Sequence, residues 1–354
     1  MNRFKPLLPL GEATVTDRVV ATFSSLDVDV ILVAGYRHHE IKAGIRRPGI
    51  TIIYNPDYEK GMFSSLQAGV RRLKPAHRAF FVLPVDVPLV RPATIRRLTM
   101  VEDSSRGKIV YPVFRGRRGH PPLVPSGLAP AILGWATSGG LKAVLESHRD
   151  LALEAPVADS FVLFDIDTPE DYRELLERFR RYDIPTEEEC REILETICRV
   201  APDRVRHSWK VAEAAAAIAG ALHSAGLDID TGLVRAAAAL HDIAKGRRRH
   251  DAAGGEMLRE LGFGRVGDIV GVHSDLAGGD TGLPLESKVV YLADKLIEGE
   301  RRVSLDERYS SANRRLGMTP EIEAAISERL KVARAVKQEI EALLGRPLEE
   351  IVTA

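Results

Sequence analysis

The stretch LVRAAAALHDIAK, residues 233–245, decides how the second half of the chain is read. Its apolar residues and four consecutive alanines predict a helix, and the small side chains let neighbouring backbones come close around a site. The run ends on the adjacent pair His241-Asp242. Working outward, His207 stands upstream, and His250, His273 and Asp294 follow downstream. A lone histidine on a helix is usually a solvated or satisfied residue, but this series in one order is a different matter. A divalent metal held by imidazole and carboxylate activates a water near neutral pH. A second metal about 3.5–4 Å away clamps both oxygens of an in-line displacement at phosphorus. The spacing therefore predicts a two-metal site for cleaving phosphate esters.

At 354 residues the chain exceeds what one hydrophobic core usually serves, so two domains are expected. Lys plus Arg equals Asp plus Glu at 50 each, which leaves no global field to hold a polyanion and argues against nucleic-acid binding. Only Cys190 and Cys198 occur, so neither a disulfide framework nor a zinc knuckle is credible, and a reducing cytoplasm fits. MNRFKPLLPLG has no apolar core of signal-peptide length, and no segment approaches eighteen uninterrupted apolar residues, so no membrane association is expected.

Between residues 16 and 165, strand-like runs alternate with helical patterns: VDVILVAG at 28–35, GITIIYN at 49–55, AFFVLPVD at 79–86 and KIVYPVF at 108–114. This is the pattern of a doubly wound, Rossmann-like α/β domain. The helices between them are expected to start near capping hydroxyls at Thr16 and Ser64. From Thr186 onward, where Thr186 and Glu189 form a capping box after Pro185, only helices are expected. The boundary falls near Tyr182–Pro185. The organisation expected is an α/β domain over 1–182, an all-α domain over 186–318 and an amphipathic closing helix over 319–354, opened by Thr319-Pro320 and stopped at Gly345.

The segments RHSWKVAEAAAAIAGAL, LHDIAKG, RHDAAGGEML, IVGVHSDL and VVYLADKLIEGERRVSLDERY resemble the HD-domain metal-dependent phosphohydrolase superfamily across roughly residues 190–320. The resemblance implies His207, His241, Asp242 and Asp294 as the H, HD, D ligands, with His250 and His273 as two further histidines of a di-metal branch. Asp242 is then expected to bridge two metals, with iron or manganese the first expectation. Lys245, four residues after His241 and so on the same helical face, is expected to neutralise a phosphate oxygen in the transition state. Lys295, Arg302 and Arg308 are either phosphate clamps or solvated charges. Arg247-Arg248-Arg249 reads as a solvated loop, and His223 sits in no motif.

FKPLLPLG at 4–11, NPDYEKGMFSSLQAGV at 55–70, PVDVPLVRPATI at 84–95, GRRGHPPLV at 116–124 and FDIDTPEDY at 164–172 resemble the MobA/MocA-like NTP transferases. Those enzymes join a nucleotide to molybdenum cofactor or a related phosphate. Asp86, at the end of an apolar strand, lies where an open α/β sheet binds ligands, and a carboxylate there suits Mg²⁺ on a triphosphate. Asp165 and Asp167 are candidates for the second carboxylate, although Thr168 and Pro169 also make this a good helix start. The resemblance puts Gly61, Met62, Ser64 and Ser65 in a nucleotide or acceptor pocket, His120 on the acceptor side and Lys5 on the phosphates.

Members of that family begin with a buried strand and a loop of the type L-A-A-G-x-S-x-R-M-G, and Met1-Asn2 corresponds to its last two positions. Without that strand, both of its neighbours would be left with unpaired edges. Either the true start lies roughly fifteen to twenty codons upstream, or the domain is a degenerate remnant. Weak or no transferase activity is expected of the chain as given. The leading functional expectation is a phosphohydrolase acting on a nucleotide or a related phosphorylated metabolite, fused to a nucleotidyltransferase domain in molybdenum-cofactor nucleotide chemistry. The alternative is a nucleotide-sensing regulator whose first domain controls the metal site.

Overall fold

The computed structural model describes residues 4–23, 26–45, 48–274, 282–316 and 319–352, with backbone alone over 312–316. The chain divides into two compact units, Met1–Arg181 and Tyr182–Ala354. No helix among the described residues is long and apolar enough to cross a membrane.

The first unit opens with a short ladder, β1 (Pro9–Leu10) with β2 (Ala13–Thr14), and then α1 (Val15–Ala21). The cap of α1 is Thr14 rather than Thr16, because Asp17 completes a capping box with it. Next come β3 (Val30–Ala34), α2 (His38–Gly44), β4 (Ile50–Tyr54) and α3 (Met62–Val70). Ser64 is not a cap either: the N-cap of α3 is Gly61, whose φ of 97° suits glycine, and Ser64 turns its hydroxyl back onto the carbonyls of Asp57 and Gly61. The unit continues through β5 (Ala79–Phe81), α4 (Pro92–Ser104), β6 (Ile109–Phe114), β7 (Arg117–Arg118), β8 (Leu123–Pro125), α5 (Ala129–Gly134), α6 (Gly140–Ser147), β9 (Ala152–Pro156) and α7 (Pro169–Arg180).

All four expected strand runs are present, but the sheet is mixed and comes in two pieces. β3 and β4 form a parallel pair, while β5, β8, β6 and β7 pair antiparallel in that order and β9 joins β6 in parallel. β6 is the centre of this second piece, and its Ile109, Val110 and Phe114 are buried beneath α4 and α6 with Ile95, Leu98 and Val144. Each such side chain contributes about 1.5–3 kcal/mol on burial.

Among the described residues, no strand pairs with the second edge of β3 or of β5. A cavity of about 1120 Å³ lies along both, lined by Val30 to Val33 and by Ala79 to Leu83, by Val20, Leu66 and Val70 from the flanking helices, and by Phe23 just after α1. Among the described residues, the second edges of β3 and β5 are thus unpaired. Met1-Asn2, which correspond by resemblance to the last two positions of the family's glycine loop, lie outside the described residues.

The second unit is built from α8 (Glu187–Glu192), α9 (Pro202–Ser224), α10 (Thr231–Leu240), α11 (His250–Glu260), α12 (Gly264–Val270), α13 (Leu285–Leu296), α14 (Leu305–Leu316) and α15 (Pro320–Leu344). The capping box of Thr186 with Glu189 opens α8, and Thr319 and Gly345 bound α15. One departure from an all-helical unit is a two-residue ladder of β10 (Ile297–Glu298) with β11 (Arg301–Arg302). Ala214, Ala215, Ala219 and Ala236 to Ala239 are buried where α10 packs on α9, as their small size requires. α11 and α12 approach closer still. A Cβ on Gly255 would stand 2.6 Å from the Gly267 carbonyl oxygen, so glycine is obligatory there. On α15, Ile326, Ala333, Val336 and Ile340 are buried, and the helix packs on α13 and α14.

Candidate metal centre and nucleotide site

Each histidine of the second unit is set by a helix end or a tight backbone contact. His207 sits in the second turn of α9, where its Nδ1–H donates to the Gly299 carbonyl in the turn between β10 and β11 (2.8 Å). His241 follows the last residue of α10 and donates from Nδ1 to Ala238 O (2.7 Å). His273, just past α12, donates from Nδ1 to Val270 O (2.7 Å). A carbonyl only accepts, so these three bonds fix the proton on Nδ1 and leave each Nε2 lone pair free to coordinate.

Those lone pairs converge on two carboxylates. Asp294 Oδ1 lies 3.4 Å from His207 Nε2 and 3.5 Å from His241 Nε2. Asp242 faces both ways, with Oδ2 3.6 Å from His241 Nε2 and Oδ1 3.4 Å from His250 Nε2 and 3.6 Å from His273 Nε2. His207, His241 and Asp294 form one group with metal-binding spacing, and His241, Asp242 and His273 another. His241 Nε2 is buried and makes no hydrogen bond, an arrangement that costs free energy unless a cation takes the lone pair. Ser274, which the sequence reading passed over, places Oγ 3.1 Å from His250 Nε2.

Residues 1–155 match the family model of the MobA-like NTP transferase domain, and residues 204–298 match that of the HD domain. The chain carries both domains. It is 27% identical over 180 residues to the molybdenum cofactor cytidylyltransferase of Escherichia coli K12, across 51% of this chain and 90% of that protein. Over 130 residues it is 35% identical to an uncharacterized protein of Methanocaldococcus jannaschii, across 32% of this chain and 77% of that protein. Among solved structures, Rv0371c of Mycobacterium tuberculosis is 27% identical with a TM-score of 0.46, across 50% of this chain and 90% of that one.

In the HD domain, charge is arranged for cation binding. Burial alone raises the Asp294 carboxyl, but Lys295 and the imidazoles of His207 and His241 outweigh it and hold the acid well below its usual range. Asp242 follows the same pattern, with burial opposed by His273, His241 and Lys245, and it too stays ionised. His250 is pushed down by burial and by Lys245, which favours the neutral, coordinating imidazole. Lys245 does not share a helical face with His241 as expected, because α10 ends at Leu240 and a turn follows in which Lys245 N–H donates to Asp242 O. The turn still brings its Nζ to 3.1 Å from Asp242.

Lys295 Nζ lies 2.7 Å from Asp294 Oδ2 and over the Tyr291 ring. Arg308 Nη2 lies 3.8 Å from Asp294 Oδ1. Arg302 instead donates to the Glu349 carbonyl. Arg247, Arg248, Arg249 and His223 are exposed. Asp275 and Leu276, which close the segment IVGVHSDL, lie outside the described residues.

The MobA-like domain gathers a second group. Asp86 lines the cavity beside β3 and β5 and feels the charges of Lys5, Asp167 and Asp165. Burial raises its carboxyl above the usual value. Lys5 Nζ lies 2.8 Å from Asp167 Oδ1, and Ile166, between the two exposed aspartates, donates its N–H to Asp86 O (2.9 Å). Thr168 and Pro169 do open α7, so the aspartates stand just ahead of a helix start. His120 lines the cavity near Asp86 and Asp165, and partial burial lowers its imidazole against their pull.

Ser64, whose hydroxyl also donates to the Gly61 carbonyl, and Ser65 both bond to a residue that the sequence reading missed. Asn55 is buried, and its Nδ2 donates to Ser64 Oγ (2.9 Å) and Ser65 Oγ (3.0 Å). Its signal in the sequence was a polar side chain directly after the apolar strand ITIIY. Met62 is among the most exposed apolar side chains, at 72%.

Proposed function

We propose that the HD domain hydrolyses a nucleotide-like phosphate ester at a pair of divalent metals, and that the MobA-like domain binds a nucleotide through Mg²⁺. The observation that carries the first part is Asp242, whose two oxygens face two separate sets of imidazoles. In this reading His207, His241 and Asp294 would hold one metal, His250 and His273 the other, and Asp242 would contribute to both. The donor set of imidazoles and carboxylates suits Fe, Mn, Co, Ni or Zn, and the resemblance to the HD superfamily favours iron or manganese among them. Bound there, the metals supply a water activated near neutral pH and positive charge on the phosphoryl oxygens.

The chain's own groups do the rest. Hydrogen bonds at Nδ1 hold the imidazoles in one tautomer, and Lys245 is positioned to leave Asp242 for a phosphoryl oxygen as negative charge builds. In the MobA-like domain, Asp86 with Asp165 or Asp167 would hold Mg²⁺, Lys5 the phosphates, and Gly61, Ser64, Ser65 and His120 the nucleotide or acceptor. Kinship with a molybdenum cofactor cytidylyltransferase supports molybdenum-cofactor nucleotide chemistry as the setting.

The test is metal content together with hydrolysis of a panel of nucleotides and phosphodiesters by the wild type and Asp242→Ala. About two transition metals per chain, with activity lost in the variant, is the expected result. A metal-free wild type that stays inactive after reconstitution with Fe, Mn, Co or Zn would remove the hydrolase reading.

A further inference from the structure

The two carboxylates of the HD site are guarded by cations of different character. Lys245 sits at the Asp242 pole with its Nζ 3.1 Å from the carboxylate, and Lys295 is hydrogen-bonded to Asp294 at 2.7 Å. Arg308, on α14 and beyond the residues 204–298 that match the HD model, approaches the Asp294 pole from outside. Its side chain is only 25% exposed, yet its one ion pair among the described residues is the 3.8 Å approach to Asp294, and its guanidinium makes no hydrogen bond there. A guanidinium carries five donors in a planar fork, and none of those of Arg308 is spent on a hydrogen bond among the described residues, so the fork beside Asp294 is open to an anion. Phosphate oxygens match that fork in a bidentate geometry.

Resting on the two-metal reading above, we propose that Arg308 binds a second phosphoryl group, so that the substrate of the HD site carries a diphosphate. Lys245 and Arg308 mark opposite poles, because Lys245 reaches Asp242 while Arg308 reaches the Asp294 oxygen that faces His207 and His241. The attacked phosphoryl group lies over Asp242, and the group not attacked extends to Arg308. In the hydrolysis, the water oxygen bonds to one phosphorus, the bridging P–O bond breaks, the bridging oxygen leaves with the other phosphate, and one proton is released to solvent. Nucleotidyl transfer onto a phosphorylated acceptor makes such a linkage and releases pyrophosphate. A reaction of the class carried out by NTP transferases would thus supply the HD site with its substrate.

Titration calorimetry of the metal-loaded protein with inorganic pyrophosphate and with orthophosphate tests this without turnover of a substrate. The wild type is expected to bind pyrophosphate at least about tenfold more tightly. Arg308→Ala should lose most of that preference with orthophosphate affinity and metal content unchanged, and Arg308→Lys should restore only part of it, lacking the fork. An undiminished preference in Arg308→Ala, or an equal loss for both anions, overturns the assignment. Two metals bound with neither anion held would remove the Arg308 assignment while leaving the metal site, and failure to bind metal at all would remove the site itself.

Discussion

His241 holds its buried Nε2 3.5 Å from Oδ1 of Asp294, with its Nδ1 tied to Ala238 O at 2.7 Å. Two elements far apart in sequence, the end of α10 and the last turn of α13, meet at this pair. The imidazole is pulled down by burial, but Asp294 and Asp242 more than reverse this and raise its pKa.

Asp294→Asn tests that coupling. The amide keeps the shape but removes the charge, so the fold should survive while metal content drops and hydrolysis falls by about a hundredfold or more. Metal analysis by mass spectrometry alongside circular dichroism checks it. An unchanged metal content would mean that Asp294 is no ligand.

Gly255 positions the second set of imidazoles at one remove. α11 begins at His250 and α12 ends three residues before His273, and the contact of Gly255 with Gly267 sets the distance between these helices. Gly255→Ala should destabilise the domain by about 1–3 kcal/mol through overpacking and cost metal more readily than Gly220→Ala, where a Cβ meets open space. Thermal melts with metal stoichiometry check it, and equal behaviour of the two variants would refute it.

Asp86 is held neutral more readily in the fold than in the unfolded chain, since burial raises its carboxyl. Its contribution to stability is full below the unfolded value near 3.9 and is lost as pH rises through the folded value. Asp86→Asn cannot ionise, so it should melt roughly 1–2 °C above wild type at pH 7, with the gap closing below about pH 4. The same variant should lose any stabilisation by Mg²⁺-nucleotide. A melting temperature lower than wild type at pH 7 would argue that Asp86 is a structural cap.

The HD site was legible in the sequence because its residues occupy helix ends, where local pattern and chemistry agree. His207, His241, Asp242, His250, His273 and Asp294 all meet in one place. What the sequence could not show was long-range backbone. The Gly299 carbonyl that orients His207 lies 92 residues away, and nothing in the local pattern marks a carbonyl as a partner. Lys245 was expected on the helical face of His241, but a spacing of four residues keeps a common face only while a helix continues, and the turn after Leu240 brings its Nζ to Asp242. In the MobA-like domain the strand runs were readable, but their pairing was not: β8 turns antiparallel between β5 and β6, and period-two patterns carry no direction.

The bare edges of β3 and β5 lead to the last prediction. Backbone amides on an unpaired edge beside a wide cavity have no ladder to protect them, whereas those of β6 are bonded on both sides. In the 354-residue chain, amide hydrogen exchange should be fast over the cavity-facing positions of Val30–Ala34 and Ala79–Phe81 and slow over Ile109–Phe114. An apolar dye should gain fluorescence on binding the cavity, because Leu66, Val70 and Phe23 line it. Protection of both edges equal to that of β6 would mean that they are paired in solution, by another chain or by each other. Size-exclusion chromatography across a concentration series would then separate these, since only pairing between chains shifts with concentration.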